Sequence, residues 1–223
     1  MKYSVIIVAG GSGQRMGAPT PKQFLLLAGM PVLMHTIRRF HLFDPAMPLV
    51  VTLPPAHLST WTELCAVHRF RLPHTVTPGG GTRFDSVKKA LDALPPTEWI
   101  AIHDGVRPFV SPELIARCFD AAEQHGAAAP ALPPADSLRL RENGHSRHVP
   151  RENYCMVQTP QVFRAEWLKN AYRAPFHPAF TDDAAVVEAA GYPVALVEGS
   201  RENLKITEPL DLDIAEILVK GEG

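Results

Sequence analysis

The apolar positions of this chain fall into short unbroken runs separated by polar, glycine-rich breaks. Ser4–Val8 reads Ser-Val-Ile-Ile-Val and Leu49–Leu53 reads Leu-Val-Val-Thr-Leu. Continuous β-branched runs of this kind suit strands covered on both faces, as in parallel sheets. Thr75–Thr77, Trp99–Ile102 and Ala127–Leu132 predict three more strands, the last made of small residues. Between them the apolar period becomes helical. Leu33, Ile37 and Phe40 space a helix over Pro31–Phe43, with proline at its start. Leu58, Leu64 and Val67 mark a weaker helix over Leu58–Val67. Thr82 caps a helix reaching about Leu94. Ser111-Pro112-Glu113 opens another that runs to about His125, with Gly126 as its left-handed stop.

Alternating strand, loop and helix predicts an α/β fold: a three-layer, mostly parallel, Rossmann-like sheet with right-handed crossovers. Ligands of such sheets bind beyond the carboxyl ends of the strands. Gly10–Gly17, Gly79–Gly81 and Asp104–Arg107 all lie at such ends, so they are expected to converge in one crevice.

The alternation breaks between Pro133 and Pro150. Ser137–Arg141 alternates, Asn143-Gly144 is a type I′ turn signal, and His145–Val149 returns. This predicts a β-hairpin arm at about 134–150. A lone hairpin is marginal in water. A second copy of the chain is expected to cover it, making a homodimer; the alternative is that it folds back on its own domain. Further on, Thr181-Asp182-Asp183 caps a helix ending at Gly191, and Val194–Glu198 is a strand. Thr207 is expected to cap a terminal helix that buries Leu210, Ile214, Ile217 and Leu218. With no repeat and no linker, residues 1–223 read as a single domain with an arm.

Composition narrows the function classes. Lys plus Arg is 22 and Asp plus Glu is 23 in 223 residues, a formal charge of −1. A nucleic-acid-binding module is usually far more basic. Val5–Ala9 is too short for a secretory leader, and no run is long enough for a membrane span. Cys65, Cys118 and Cys155 are odd in number and far apart. They read as buried free thiols of a cytoplasmic protein.

The candidate chemistry lies in the three loops. Ala9-Gly10-Gly11-Ser12-Gly13-Gln14-Arg15-Met16-Gly17 fails the dinucleotide fingerprint, because Met16 takes the third glycine place, and it fails the P-loop pattern in every register. What remains is a glycine loop after the first strand, followed by the cations Arg15 and Lys22, a combination suited to a triphosphate. Gly79-Gly80-Gly81 lets backbone approach a flat ligand, and Ser86 lies near the start of the helix that follows. Asp104 at a strand end is placed to hold Mg²⁺ against phosphates, and Arg107 to grip one. The plainer readings are a tight turn with solvated cations, a back-bonded helix serine, and an Asp–Arg pair that shapes a turn. His103 reads as a satisfied sheet-edge histidine.

Taken together, Gly-Ser-Gly-Gln-Arg-Met-Gly with Pro-Lys-Gln, then Gly-Gly-x-x-Arg-x-x-Ser-Val, then His-Asp-x-x-Arg-Pro resemble the 2-C-methyl-D-erythritol 4-phosphate cytidylyltransferases. The likeness continues through Asp136-Ser137, Arg151-Glu152, Gln158-Thr159-Pro160-Gln161, Thr181-Asp182-Asp183 and Glu198-Gly199 to Asn203-Leu204-Lys205-Ile206-Thr207. The resemblance implies CTP, Mg²⁺ and a sugar-alcohol phosphate. It places Ala9, Gly10, Gly11, Gly81, Arg83 and Ser86 on the nucleotide, and Arg15 and Lys22 at the α-phosphate. Asp104 and Arg107 would line the junction with the acceptor. Arg151 and Lys205, with Thr159 nearby, would position the attacking phosphate, and Ser137 would come from a partner's arm. The chain departs from the family at Thr82, often an acid; at Gly105-Val106, often Ala-Ala or Ser-Val; and at Ser137, usually threonine. The sequence stops near Gly223, so no fused synthase domain is expected. A ribitol 5-phosphate cytidylyltransferase and a non-catalytic nucleotide-binding protein are the alternatives.

Overall fold

The structure, a computed structural model, describes residues 1–10 and 20–221. Its strands are β1 (Tyr3–Val8), β2 (Leu26–Leu27), β3 (Met30–Pro31), β4 (Leu49–Leu53), β5 (Thr75–Pro78), β6 (Trp99–Asp104), β7 (Ala127–Leu132), β8 (Leu138–Glu142), β9 (His145–Val149), β10 (Met156–Val157), β11 (Gln161–Arg164) and β12 (Ala195–Glu198). Its α-helices are α1 (Val32–Phe43), α2 (Leu58–Val67), α3 (Arg83–Ala93), α4 (Pro112–His125), α5 (Ala165–Ala171), α6 (Asp183–Ala189) and α7 (Pro209–Gly221).

The main sheet runs β10-β7-β11-β6-β1-β4-β5, with β12 beside β7. The pairs β1–β4, β1–β6, β4–β5 and β7–β12 are parallel. β11 and β10 run against their neighbours. The expected mostly parallel sheet is therefore present, with a late strand inserted between β6 and β7. Val162 and Phe163 of β11 are fully buried, which explains why four residues hold a central place.

Two apolar layers cover the sheet. Leu33, Ile37 and Phe40 of α1 pack with Trp61 of α2 and Leu114, Ile115 and Phe119 of α4 on one face. Phe84 and Val87 of α3, Leu168 of α5 and Val186 of α6 cover the other. Local chemistry sets the ends. The Thr82 hydroxyl accepts from the Asp85 amide while the Asp85 carboxylate accepts from the Thr82 amide, a full capping box. Ser111 caps α4, and Gly126 ends it at φ +91°.

Three expectations change. The terminal helix buries Ala215 and leaves Leu210, Ile214 and Ile217 exposed, because its inner face meets only the small cluster around Leu27, Val106 and Ile206. Its first amides, those of Thr207 and Glu208, are held by the Asp211 carboxylate, while the Thr207 hydroxyl turns back to the Lys205 carbonyl. Of the cysteines only Cys118 is buried; Cys65 is half-buried and Cys155 exposed. Burial pushes the Cys118 thiol up to about 12.

Strands β8 and β9 form the hairpin, joined by Asn143 and Gly144 at φ +48° and +80°. Both values suit the type I′ turn. The two strands form a sheet of their own and are largely exposed.

Candidate active site

A cleft of about 230 Å³ opens at the carboxyl ends of β1 and β6 and beside the loop after β5. Its wall includes Ala9, Gly10, Lys22, Gly81, Arg83, Ser86, Asp104 and Lys205, eight of the residues singled out from the sequence. Arg107 joins them through Asp104. Gly11 and Arg15 lie outside the described residues.

The nucleotide-loop side is shaped by backbone. A Cβ on Gly80 would stand 2.2 Å from the Asp85 Cβ, so only glycine permits the loop to fold over the capping box. The Ser86 hydroxyl donates to the Thr82 carbonyl at 2.9 Å and accepts from the Gly80 amide at 3.0 Å. It braces the loop from below and is 3% exposed. The Gln23 side chain donates to the Ala9 carbonyl and fixes the end of β1. Lys22, on the same short 3₁₀ turn, is buried in the cleft wall. The departure at Thr82 has a plain role, since its side chain is spent on the cap.

The centre of the site is Asp104. Its Oδ2 receives the Lys205 ammonium at 2.9 Å and the Arg107 Nε at 3.2 Å, and Arg83 lies 3.6 Å from Oδ1. Burial works against the charged carboxylate, but Arg83, Lys205 and Arg107 outweigh it and hold its carboxyl well below the usual range. Arg83 is held in turn by Asp183 at 2.5 Å. Burial opposes its charge, while Asp183 and Asp104 raise its pKa above the ordinary value. Asp183 is fully buried and also accepts from the Tyr172 hydroxyl. The Arg83–Asp183 link has no signature along the chain, because the two residues lie a hundred positions apart and meet only through tertiary packing.

The turn that carries Asp104 and Arg107 is hydrogen-bonded throughout. The Asp104 carbonyl accepts from the Arg107 amide, Gly105 from Thr36 Oγ1, Val106 from the Ile206 amide, Arg107 from His103 Nε2, and Pro108 from Arg39 Nε. The Asp104 amide donates to Thr159 Oγ1 at 3.0 Å and the Gly105 amide to the Val8 carbonyl at 2.8 Å. Gly105 packs so tightly that an added Cβ would sit 3.0 Å from the Ala9 Cβ, which accounts for glycine here. Arg107 Nη1 donates to the Asn203 carbonyl, and Asn203 Nδ2 to the Thr159 carbonyl. Burial drives the His103 pKa down to about 4, so the ring is neutral at pH 7. Thr159 is 5% exposed, with its hydroxyl shared between His103 and the Asp104 amide.

Ser137 and Arg151 are not brought to this cleft. Both are exposed, at the foot of the hairpin, and Arg151 donates to the Ala135 carbonyl. For Mg²⁺, no cluster of three acids, histidines or cysteines exists among the described residues. Asp104 is the carboxylate of the cleft that could hold a magnesium ion, one bound chiefly by nucleotide phosphates and water.

The comparisons agree with the geometry. The family model described as 2-C-methyl-D-erythritol 4-phosphate cytidylyltransferase matches residues 3–221. Curated relatives of that name from Porphyromonas gingivalis and Bacteroides thetaiotaomicron are 52% and 50% identical over 219 residues, covering 98% of this chain and 98% and 100% of theirs. The crystal structure of the Thermus thermophilus protein of that name superposes with a TM-score of 0.81 at 38% identity, covering 99% of this chain and 100% of its own. The chain therefore belongs to the 2-C-methyl-D-erythritol 4-phosphate cytidylyltransferase family and is a cytidylyltransferase.

Proposed function

We propose that this chain transfers CMP from CTP to 2-C-methyl-D-erythritol 4-phosphate, releasing pyrophosphate and giving 4-diphosphocytidyl-2-C-methyl-D-erythritol. The observation that carries the reading is the convergence of Lys22, Arg83 and Lys205 on a cleft in which Asp104, held from behind by Arg107, is the one acid among the described lining residues. Two anions must meet for this reaction, and the cleft is built to receive anions.

The acceptor phosphate has its second pKa near 6, so it is already a charged nucleophile at pH 7. One of its oxygens attacks the α-phosphorus in line, and the bond to the β-phosphate oxygen breaks. No general base is required. The buried, neutral His103, with both ring nitrogens engaged, agrees with this. Catalysis then rests on positioning and charge stabilisation. Gly10 and Gly81 receive the nucleoside, Lys22 and Arg15 stabilise charge at the α-phosphate, and Arg107 and Lys205 orient the acceptor. Magnesium, when bound to the triphosphate beside Asp104, neutralises phosphate charge.

Ser137 and Arg151 enter from the arm of a second copy, so the working form is a homodimer. The exposed Leu140, Tyr154, Met156 and Val157 support such a contact. No helix among the described residues is long and apolar enough to cross a membrane, and a cytoplasmic setting fits the substrates. The test is pyrophosphate release with CTP and Mg²⁺, run in parallel on methylerythritol phosphate and ribitol phosphate. Faster release with the branched acceptor is expected. Faster release with ribitol phosphate would reassign the acceptor, and CTP binding without turnover on either would contradict the reading.

A further inference from the structure

We infer that His103 is a positioning residue of this site, fixing Arg107 and Asp104 from beneath through one directed chain of hydrogen bonds. The inference rests on the function proposed above only for its kinetic consequence. Its structural part stands alone.

The chain has a single consistent direction. The Arg107 carbonyl lies 3.1 Å from His103 Nε2 and can only accept, so Nε2 carries the proton. With that proton committed to Nε2, Nδ1 is left as the acceptor. The Thr159 hydroxyl lies 3.0 Å from it and is the donor. That hydroxyl has a lone pair left for the Asp104 amide, also at 3.0 Å. One side chain thus ties the last carbonyl of the turn directly and its first amide through Thr159. All four residues are at least nine-tenths buried, so no water competes at low cost. Phe40 packs edge-on against the imidazole with centroids 4.9 Å apart and sets the ring plane.

The arrangement has a functional edge because the turn presents Asp104 to the cleft, with Arg107 held against that carboxylate, while its backbone is gripped below. Thr36 and Arg39 hold the middle and far carbonyls from α1. Among the described residues outside the turn, His103 is the side chain that reaches the carbonyl of Arg107 directly and the amide of Asp104 through Thr159. Its loss would let the Arg107 guanidinium move relative to the acceptor while leaving Gly10, Gly81 and Ser86, on separate segments, in place.

The first test needs no substrate. Ring ¹⁵N shifts of the wild-type protein at pH 7.5, with the His103 signals assigned by their absence in His103→Gln, should show a neutral ring protonated at Nε2. A ring protonated at Nδ1 would overturn the inference. The second test is kinetic. Phe in place of His103 keeps the packing and removes both hydrogen bonds. It should raise the acceptor KM about tenfold, the scale of one buried partner lost, with the KM for CTP within about twofold. His103→Gln, which restores a donor towards the Arg107 carbonyl, should recover most of that loss. Equal changes in both KM values, or no change in His103→Phe, would overturn the positioning role. If the wild-type protein shows no turnover at all, the proposed function fails instead, and the tautomer still decides the hydrogen-bond chain.

Discussion

In the turn from Asp104 to Pro108 every carbonyl is hydrogen-bonded, and both charged side chains are about nine-tenths buried. The hairpin β8–β9 is the opposite. It pairs only with itself, and its strands expose Arg139, Leu140, Arg141 and Arg147. Its internal ties are the ladder, the Arg139 bonds to Ser146 and a solvent-exposed Glu142–Arg147 pair at 3.6 Å. The turn takes its shape from β1, α1, Thr159 and the 203–206 segment. The arm takes its register from Asn143-Gly144 and its final position from whatever it meets. The described residues assigned to the reaction divide along this line, with Lys22, Arg83, Arg107 and Lys205 beside the braced turn and Ser137 and Arg151 at the arm.

Four perturbations probe this division. Lys22→Ala should have the largest effect, a fall in kcat of about a hundredfold or more, the scale of one lost charge stabiliser, with cooperative unfolding retained. Steady-state rates beside a thermal melt check it, and near-wild-type turnover would remove Lys22 from its role. Asp104→Ala leaves Arg83, Arg107 and Lys205 crowded without their shared acid, and should cost about 3–5 kcal/mol in denaturant unfolding.

Acid titration is the third. His103 is depressed to about 4 in the fold, against an unfolded value near 6.5. Above pH 6.5 both states are neutral and the group costs nothing. As pH falls from 6.5 to 4 the unfolded state gains the proton first, so the fold loses stability, by up to about 3 kcal/mol from this group. His103→Phe should flatten that stretch of the stability–pH curve. The Asp104 contribution has the other origin. Its depressed carboxyl stabilises the fold above pH 4, and that share is lost only as pH falls further towards its folded value. The smallest effect belongs to the arm. Leu140→Ala should change the stability of the isolated chain by less than about 0.5 kcal/mol, as for other surface changes.

Much of this was legible in the sequence because it depends on neighbours along the chain. Thr82 with Asp85, Ser111-Pro112 and Asn143-Gly144 are local devices, and each sits where its spacing predicts. The three loops at strand ends follow from the strand runs themselves. What was hidden depends on distant partners. Nothing within Gln161–Arg164 says that it slots between β6 and β7, since four residues with two polar ends also fit a loop. Leu210, Ile214 and Ile217 repeat at helical spacing, yet α7 lies on a cluster too small to cover them. The bond of Ser86 back to the Thr82 carbonyl is the back-bonded serine its place in the helix offers, whereas the binding of Arg83 by Asp183 and the sharing of the Thr159 hydroxyl between His103 and the Asp104 amide have no local signature. They arise where buried polar groups must find partners.

The division between cleft and arm is tested most directly by mixing two variants. Lys22→Ala disables the cleft and Arg151→Ala the arm. If each arm serves the partner's cleft, a hybrid dimer holds one site with both residues intact. After free exchange of equal amounts, half the dimers are hybrids, so about one quarter of wild-type activity should return. Activity no higher than the mean of the two variants would contradict the account and place Arg151 in the service of its own chain.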